Sequence, residues 1–116
     1  MTITLLTLIE DCKNRYENNE KPENRRDMEF FEYVKHETKK PFEQIEQWEQ
    51  EALKFVKNKD VSVQPQQIES TLENLRLVIL HSYYIDARLR RFMNLHQSIK
   101  YVLDQLLKDM NKLKSE

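Results

Sequence analysis

The chain contains no glycine among its 116 residues. Tight hairpin turns, phosphate-binding loops, dinucleotide-binding loops and nucleophile elbows all rely on glycine for a positive φ or for close approach of the backbone. Most α/β enzyme folds depend on such turns, whereas helices can be joined by loops of Asn, Asp and Pro. The missing glycine therefore favours an all-α fold.

Four stretches have apolar residues at the three- and four-residue spacing of an amphipathic helix. The predicted helices span residues 2–18, 27–57, 65–86 and 94–112. Their buried stripes include Leu5, Ile9 and Cys12, then Phe31, Val34, Ile45 and Trp48, then Ile68, Leu72, Leu75 and Ile79, and finally Leu95, Ile99, Val102 and Leu106. Each helix must bury its stripe against the others, and the usual solution is an antiparallel bundle. The sequence thus predicts one domain, 1–116, folded as an up-down-up-down four-helix bundle.

Two helix starts and the interior of the second helix have local sequence signals. Pro65 suits the first turn of the third helix, with Gln67 at the capping position and Val63 able to pack as a hydrophobic staple. The basic stretch 88–93 is predicted as a turn, and Asn94 with Gln97 as the capping box that opens the fourth helix. The apolar phase continues across Pro41, which predicts one long second helix kinked near that proline. Two helices meeting there are the alternative.

The charge balance limits the classes of partner. Nineteen basic and twenty acidic residues give a net charge of −1, which argues against nucleic acid and against an anionic membrane surface. Cys12 is the single cysteine, so no internal disulfide can form and a reducing compartment fits. No apolar run is long enough to span a bilayer, and the first residues lack the pattern of a signal peptide. We expect a cytoplasmic protein.

Several segments have a distinctive combination of apolar spacing and aromatic residues: Asp27-Met-Glu-Phe-Phe-Glu, Gln47-Trp-Glu-Gln-Glu-Ala-Leu-Lys, Gln67-Ile-Glu, Leu77-Val-Ile-Leu-His-Ser-Tyr, Arg91-Phe and Ser98-Ile-Lys-Tyr-Val-Leu. Together they resemble the YppE-like family of small bacterial proteins. The similarity extends over about residues 27–107. It implies a cytoplasmic four-helix bundle and no particular activity. Some relatives are richer in histidine after the Ser-Tyr pair, but this chain has Tyr84-Ile85-Asp86-Ala87 there, so a role based on histidine is not transferred.

No motif predicts catalysis, a metal or a cofactor. A di-iron bundle needs Glu-x-x-His pairs, but Tyr33, Val78 and Met93 stand three residues before the three histidines. The glutamates between 43 and 51 are interpreted as a solvated helix face, and Cys12 as a small buried residue of the first stripe. The prediction leans towards a protein that is not an enzyme, without excluding a small-molecule or metal-dependent enzyme in the bundle core.

Two groups of residues are candidates for binding. An up-down bundle places its first and third loops at one end, which would gather five arginines: Arg25, Arg26, Arg88, Arg90 and Arg91. Guanidinium groups suit carboxylate or phosphate, although the six acidic residues near the same loops favour internal ion pairing. Four aromatic residues also lie off the main stripes, where they either form an interface or cover the bundle's shoulders: Phe30, Tyr33, Tyr84 and Tyr101.

The leading hypothesis is a non-enzymatic module that binds a protein partner, or a second copy of itself, through a helical face or the arginine-rich end. Aromatic residues and arginine are enriched at protein interfaces, and no catalytic motif competes with this interpretation. The alternative is binding of nucleic acid or a phosphate ligand at the arginine-rich end.

Overall fold

The computed structural model describes residues 2–18, 28–57, 61–84 and 88–115, with side chains up to residue 112. These residues form four helices and no strand: α1 (Thr2–Asn18), α2 (Met28–Lys57), α3 (Pro65–Tyr84) and α4 (Leu89–Ser115). The all-α prediction is confirmed, and the first three helices have nearly the predicted bounds. None of these helices combines the length and apolarity needed to cross a membrane.

Contacts at both ends of the bundle fix the helix directions. At one end the indole N–H of Trp48, in the second half of α2, donates to Thr2 Oγ1 at the start of α1, with a distance of 3.2 Å. At the other end the ring of Tyr16, near the end of α1, stacks on Phe92 in the first turn of α4, with centroids 4.2 Å apart. Both α2 and α4 are therefore antiparallel to α1.

A buried carboxylate anchors the start of α3 near the end of α4. Asp109 is only 8% exposed, and it accepts hydrogen bonds from the backbone N–H groups of Ser62 and Val63, both at 3.1 Å. The Gln67 side chain accepts a further bond from the N–H of Gln64 at 2.8 Å, which is the predicted capping contact. Since α3 is antiparallel to α4, the four helices alternate in direction as predicted.

The core lies along α3, which packs against each of the other three helices, whereas the described residues of α2 and α4 have no backbone contact with each other. The main hydrophobic cluster includes Leu5, Ile9 and Cys12 of α1, Ile45, Trp48, Ala52 and Val56 of α2, Ile68, Leu75, Val78 and Ile79 of α3, and Phe92, Ile99, Leu103 and Leu106 of α4. The predicted burial of Cys12 is confirmed, because it is 1% exposed.

On α2 the predicted buried stripe is wrong at its first member. Phe31 is 47% exposed, and Phe30 is the half-buried ring. The next buried residues, Val34 and Thr38, lie four and eight positions after Phe30. Helical phase fits either ring, because Phe31 precedes the same two residues by three and seven positions; the contact of Phe30 with Tyr84 of α3 marks Phe30 as the ring on the core side.

The predicted start of α4 is also wrong. The helix begins at Leu89, and the N–H of Phe92 already donates to the carbonyl of Arg88 at 3.0 Å. Phe92 is fully buried, and His96 and Ile99 follow it on the same face. The helix therefore starts more than one turn before Asn94, and its buried stripe starts at Phe92. Arg90 and Arg91 are exposed residues of the helix, and Arg88 directly precedes it.

The structure decides the continuity of the second helix. α2 is one helix of 30 residues with Pro41 inside it, so the alternative of two helices meeting at this residue is wrong. One turn earlier the Thr38 hydroxyl donates to the carbonyl of Val34 at 2.8 Å. The kink near Pro41 stays a prediction.

Candidate functional site

Four rings form a connected group where the first turns of α2 meet the last turn of α3. The Phe30 ring makes an edge contact with Tyr84 at 5.3 Å and a tilted contact with Tyr33 at 6.1 Å, both between ring centroids. Tyr33 in turn meets the edge of Tyr83 at 6.2 Å. Edge and tilted geometries match the electrostatic preference of aromatic pairs. These four residues, Phe30, Tyr33, Tyr83 and Tyr84, are the aromatic cluster.

The aromatic cluster borders exposed apolar side chains. Tyr33 is 52% exposed although it touches two rings, and Met28 and Phe31 of the same helix end are 67% and 47% exposed. Three of the four predicted interface aromatics, Phe30, Tyr33 and Tyr84, therefore lie together, whereas Tyr101 lies apart on α4. Phe31 also belongs to this exposed surface, although the sequence pattern had assigned it to the buried stripe.

Arg15 attaches this cluster to α1. Its Nη1 donates to Ser82 Oγ at 2.9 Å, and its guanidinium carbon lies 4.2 Å from the centroid of the Tyr83 ring. The Ser82 hydroxyl donates onward to the carbonyl of Ile79 at 2.6 Å. Burial raises the pKa of Tyr83, while the positive charge of Arg15 opposes that rise. A guanidinium over a tyrosine face is a cation–π contact, so one side chain joins two helices by charge and by hydrogen bonding.

The same environment keeps the cysteine protonated. Burial raises the pKa of the Cys12 thiol from its ordinary value of 9.0, and the charge of Arg15 together with hydrogen bonding to Ser82 and Arg15 only partly opposes this. A nucleophilic cysteine needs the thiolate form and access to solvent. The geometry supports the prediction that Cys12 has a packing role.

Three of the predicted arginines line one depression in the surface of α4. Arg88, Arg90 and Arg91 are exposed. Together with Asn94, Leu95 and Ser98 they border a volume of about 310 Å³, which we call the arginine depression. The first turn of α4 contains no acidic residue. Arg25 and Arg26 lie outside the described residues, so the predicted gathering of five arginines stays a prediction for these two.

A second depression lies between α3 and α4, where Tyr101 is 62% exposed. It has a volume of about 510 Å³ and we call it the polar groove; its lining residues are Gln66, Gln67, Ser70, Thr71, Asn74, Gln97, Ser98, Tyr101 and Val102. None of these side chains is charged, although 34% of the chain is. Sequence reasoning missed this groove because its lining residues come from two helices and are separated by about 30 residues along the chain.

The histidines do not meet. His36 is exposed and His81 is half-buried, whereas His96 is 4% exposed and its Nε2 lies 3.1 Å from Glu10 Oε1. Within residues 2–18, 28–57, 61–84 and 88–112 no group of three His, Cys, Asp or Glu side chains is placed to hold a metal ion.

Comparison with known proteins identifies relatives of unknown function. A bacterial domain of unknown function, DUF1798, matches residues 2–110. The crystal structure of protein yppE from Bacillus subtilis superposes with a TM-score of 0.85, at 23% sequence identity, over 99% of this chain and 93% of that one. No curated protein matches the chain. The structural likeness establishes the fold.

Proposed function

The chain belongs to the bacterial DUF1798 family of YppE-like proteins, and we propose that it is a non-enzymatic module that binds another protein through the aromatic cluster and its neighbours Met28 and Phe31. The observation that supports this most is the concentration of half-exposed apolar side chains, Met28, Phe31 and Tyr33, in the first two turns of one helix. Exposed large apolar residues normally occur singly.

The ring contacts make this surface suitable for binding. Association costs conformational entropy for every side chain that becomes ordered. Tyr33 is already held between Phe30 and Tyr83, so less rotamer freedom is lost when a partner covers it. Tyrosine and phenylalanine also offer a large contact area with only two torsions each. A partner with an apolar pocket would gain about 25 cal/mol for each Å² of apolar surface removed from water.

Site-specific photo-crosslinking in cells tests the proposal. A photoreactive phenylalanine analogue at position 31 or 33 should give a discrete crosslinked product. The matched control is the same analogue at Ile3, which is comparably exposed and lies at the start of α1, at the other end of the bundle. It should give no product. A product of twice the mass of the chain would identify a second copy as the partner, and any other discrete mass a different protein.

Light scattering during size exclusion, at several protein concentrations, adds an independent measurement. If positions 31 and 33 crosslink no more than position 3, and the purified chain stays monomeric throughout, the proposed function is wrong. With the analogue kept at position 31, Tyr33→Ser should reduce the product while leaving the helical circular dichroism unchanged, because the Tyr33 side chain is about half exposed.

A further inference from the structure

The arginine depression and the polar groove are two parts of one channel. Ser98 lines both. Along α4 the lining residues Arg91, Asn94, Ser98 and Tyr101 follow one another at three- or four-residue steps, which places them on one side of the helix, and Arg88 directly precedes the helix. This face therefore changes along its length from guanidinium groups to an uncharged surface with an exposed phenol ring.

The two parts suit different chemical groups. Exposed guanidinium groups bind phosphate oxygens through paired N–H donors, and among the described residues that line the arginine depression none is acidic. In the polar groove the amides of Asn74 and Gln97 offer both donors and acceptors, and the Tyr101 ring offers a flat apolar face. Amide edges and an aromatic face recognise a planar heterocycle with polar edges.

We propose that this channel binds a nucleoside polyphosphate, with the phosphates on Arg88 and Arg91 and the base stacked on Tyr101. Ten residues separate Arg91 from Tyr101, which corresponds to about 15 Å along the helix axis. An extended nucleoside triphosphate has a comparable length between its base and its last phosphate. The volumes of about 310 and 510 Å³ accommodate the two halves of such a ligand.

The charge distribution favours a free nucleotide over a nucleic acid strand. Sequence-independent binding of a strand requires a basic surface that follows many phosphates. This chain has a net charge of −1, and its arginine depression has three arginines at one place. A compact polyphosphate can use all three, whereas a strand would leave the depression after one or two phosphates.

The inference does not depend on the proposed protein contact. The channel lies on α3 and α4, whereas the exposed apolar residues Met28, Phe31 and Tyr33 lie on α2, whose described residues make no close backbone contact with α4.

Titration calorimetry of the full chain with ATP, GTP, inorganic triphosphate and adenosine, at low salt and without divalent cations, tests the proposal. At least one nucleotide should bind more tightly than both triphosphate and adenosine. Arg91→Ala should weaken nucleotide and triphosphate alike by about tenfold, the factor expected for loss of one charged hydrogen bond. Tyr101→Ala should weaken only the nucleotide, by roughly tenfold, and leave triphosphate unchanged.

Matched controls come from exposed residues outside the channel. Arg76→Ala removes an exposed guanidinium that faces Glu46, and Tyr33→Ala removes a tyrosine of similar exposure; neither should change the affinity. Circular dichroism establishes that each variant is folded. Absence of saturable nucleotide binding at millimolar concentration would overturn the proposal, as would triphosphate binding as tightly as ATP and GTP with no effect of Tyr101→Ala. Tighter binding of a single-stranded oligonucleotide than of any nucleotide would replace it with a nucleic-acid site.

Discussion

The contacts of Arg15 cannot be predicted from the residues near it in the sequence. Its partners Ser82 and Tyr83 lie on another helix, and the first of them is 67 residues away in sequence. A long charged side chain can place its aliphatic part along apolar surface while its head finds hydrogen-bond partners. Arg15 does this between α1 and α3, where it lies close to the buried thiol of Cys12.

Three groups with raised pKa values predict that the protein loses stability at alkaline pH. Burial raises the pKa of Cys12 from 9.0, and of Tyr16 and Tyr83 from 10.0. Each group keeps its proton in the folded state at a pH where the unfolded chain has lost it. The unfolded state then binds fewer protons, so the free energy of unfolding falls as pH rises. Urea unfolding should show a stability that declines as pH rises through 9, and Cys12 should contribute up to about 1.4 kcal/mol per pH unit.

The cysteine variant separates the contributions to this decline. In Cys12→Ala the decline should begin about one pH unit later, near the ordinary pKa of tyrosine, which is 10.0. Stability that rises with pH between 8 and 10, or an identical profile for the variant, would contradict the assignment.

Single residues also show where prediction from sequence reached its limit. Cys12 was placed correctly in the core, because its helix has one clear apolar face. Phe30 and Phe31 were exchanged, since two adjacent rings fit the local pattern almost equally, and the contact of Phe30 with Tyr84 on another helix, which distinguishes them, leaves no local signal. The contact of Asp109 with Ser62 and Val63 joins residues 46 and 47 positions apart, and no local pattern indicates such pairs.

Among the helices, α2 is unusual because a proline, Pro41, lies in the interior of its 30 residues. A proline in a helix interior removes one backbone hydrogen bond and its ring crowds the carbonyl four residues earlier. The packing of Val34 and Ile45 on either side of Pro41, 3% and 0% exposed, holds both halves of α2 against the bundle.

Pro41→Ala should therefore stabilise the protein. Restoring the missing N–H and removing the ring should raise the free energy of unfolding by about 1–3 kcal/mol, measured by urea denaturation followed by circular dichroism. Gln44→Ala, also half-buried on α2, is the matched control and should change stability by less than about 0.5 kcal/mol. A less stable Pro41→Ala variant would mean that the bundle requires the shape imposed by proline.

The ends of the elements were predicted with uneven success. The start of α3 has a distinct signal, a proline with a glutamine two residues later, and Gln67 makes the expected contact. The start of α4 was placed too late because Asn94 and Gln97 imitate a capping box, while the true first turn consists of Arg88–Arg91, which have no capping motif. The buried Phe92 was the available signal for the earlier start.

For the molecule as a whole, the main cluster draws on α2 only from Ile45 onwards. Val34 is buried but lies outside that cluster. The first half of α2 is held chiefly by the aromatic cluster and by the buried Val34. The alternation of helix directions was predictable from three short connections, whereas the lack of close backbone contact between the described residues of α2 and α4 depends on how the helices pack around α3.

Amide hydrogen exchange should reveal this asymmetry. Backbone amides of residues 32–40 should exchange faster, with lower opening free energies, than those of residues 45–56 in the same helix, because fewer buried apolar contacts oppose local opening. Phe30→Ala should widen the difference, since Phe30 contacts both Tyr33 and Tyr84. Uniform protection along α2, or an unchanged pattern in the variant, would show that the helix opens only with the entire bundle.

The separation of α2 from α4 has an experimental consequence. Substitutions far apart and without shared neighbours have additive energetic effects. A chain altered at both Phe31 and Arg91 should show two independent defects, each of the size found alone, in stability and in binding. Any surplus in the combined variant would measure communication through α3, the helix that touches both.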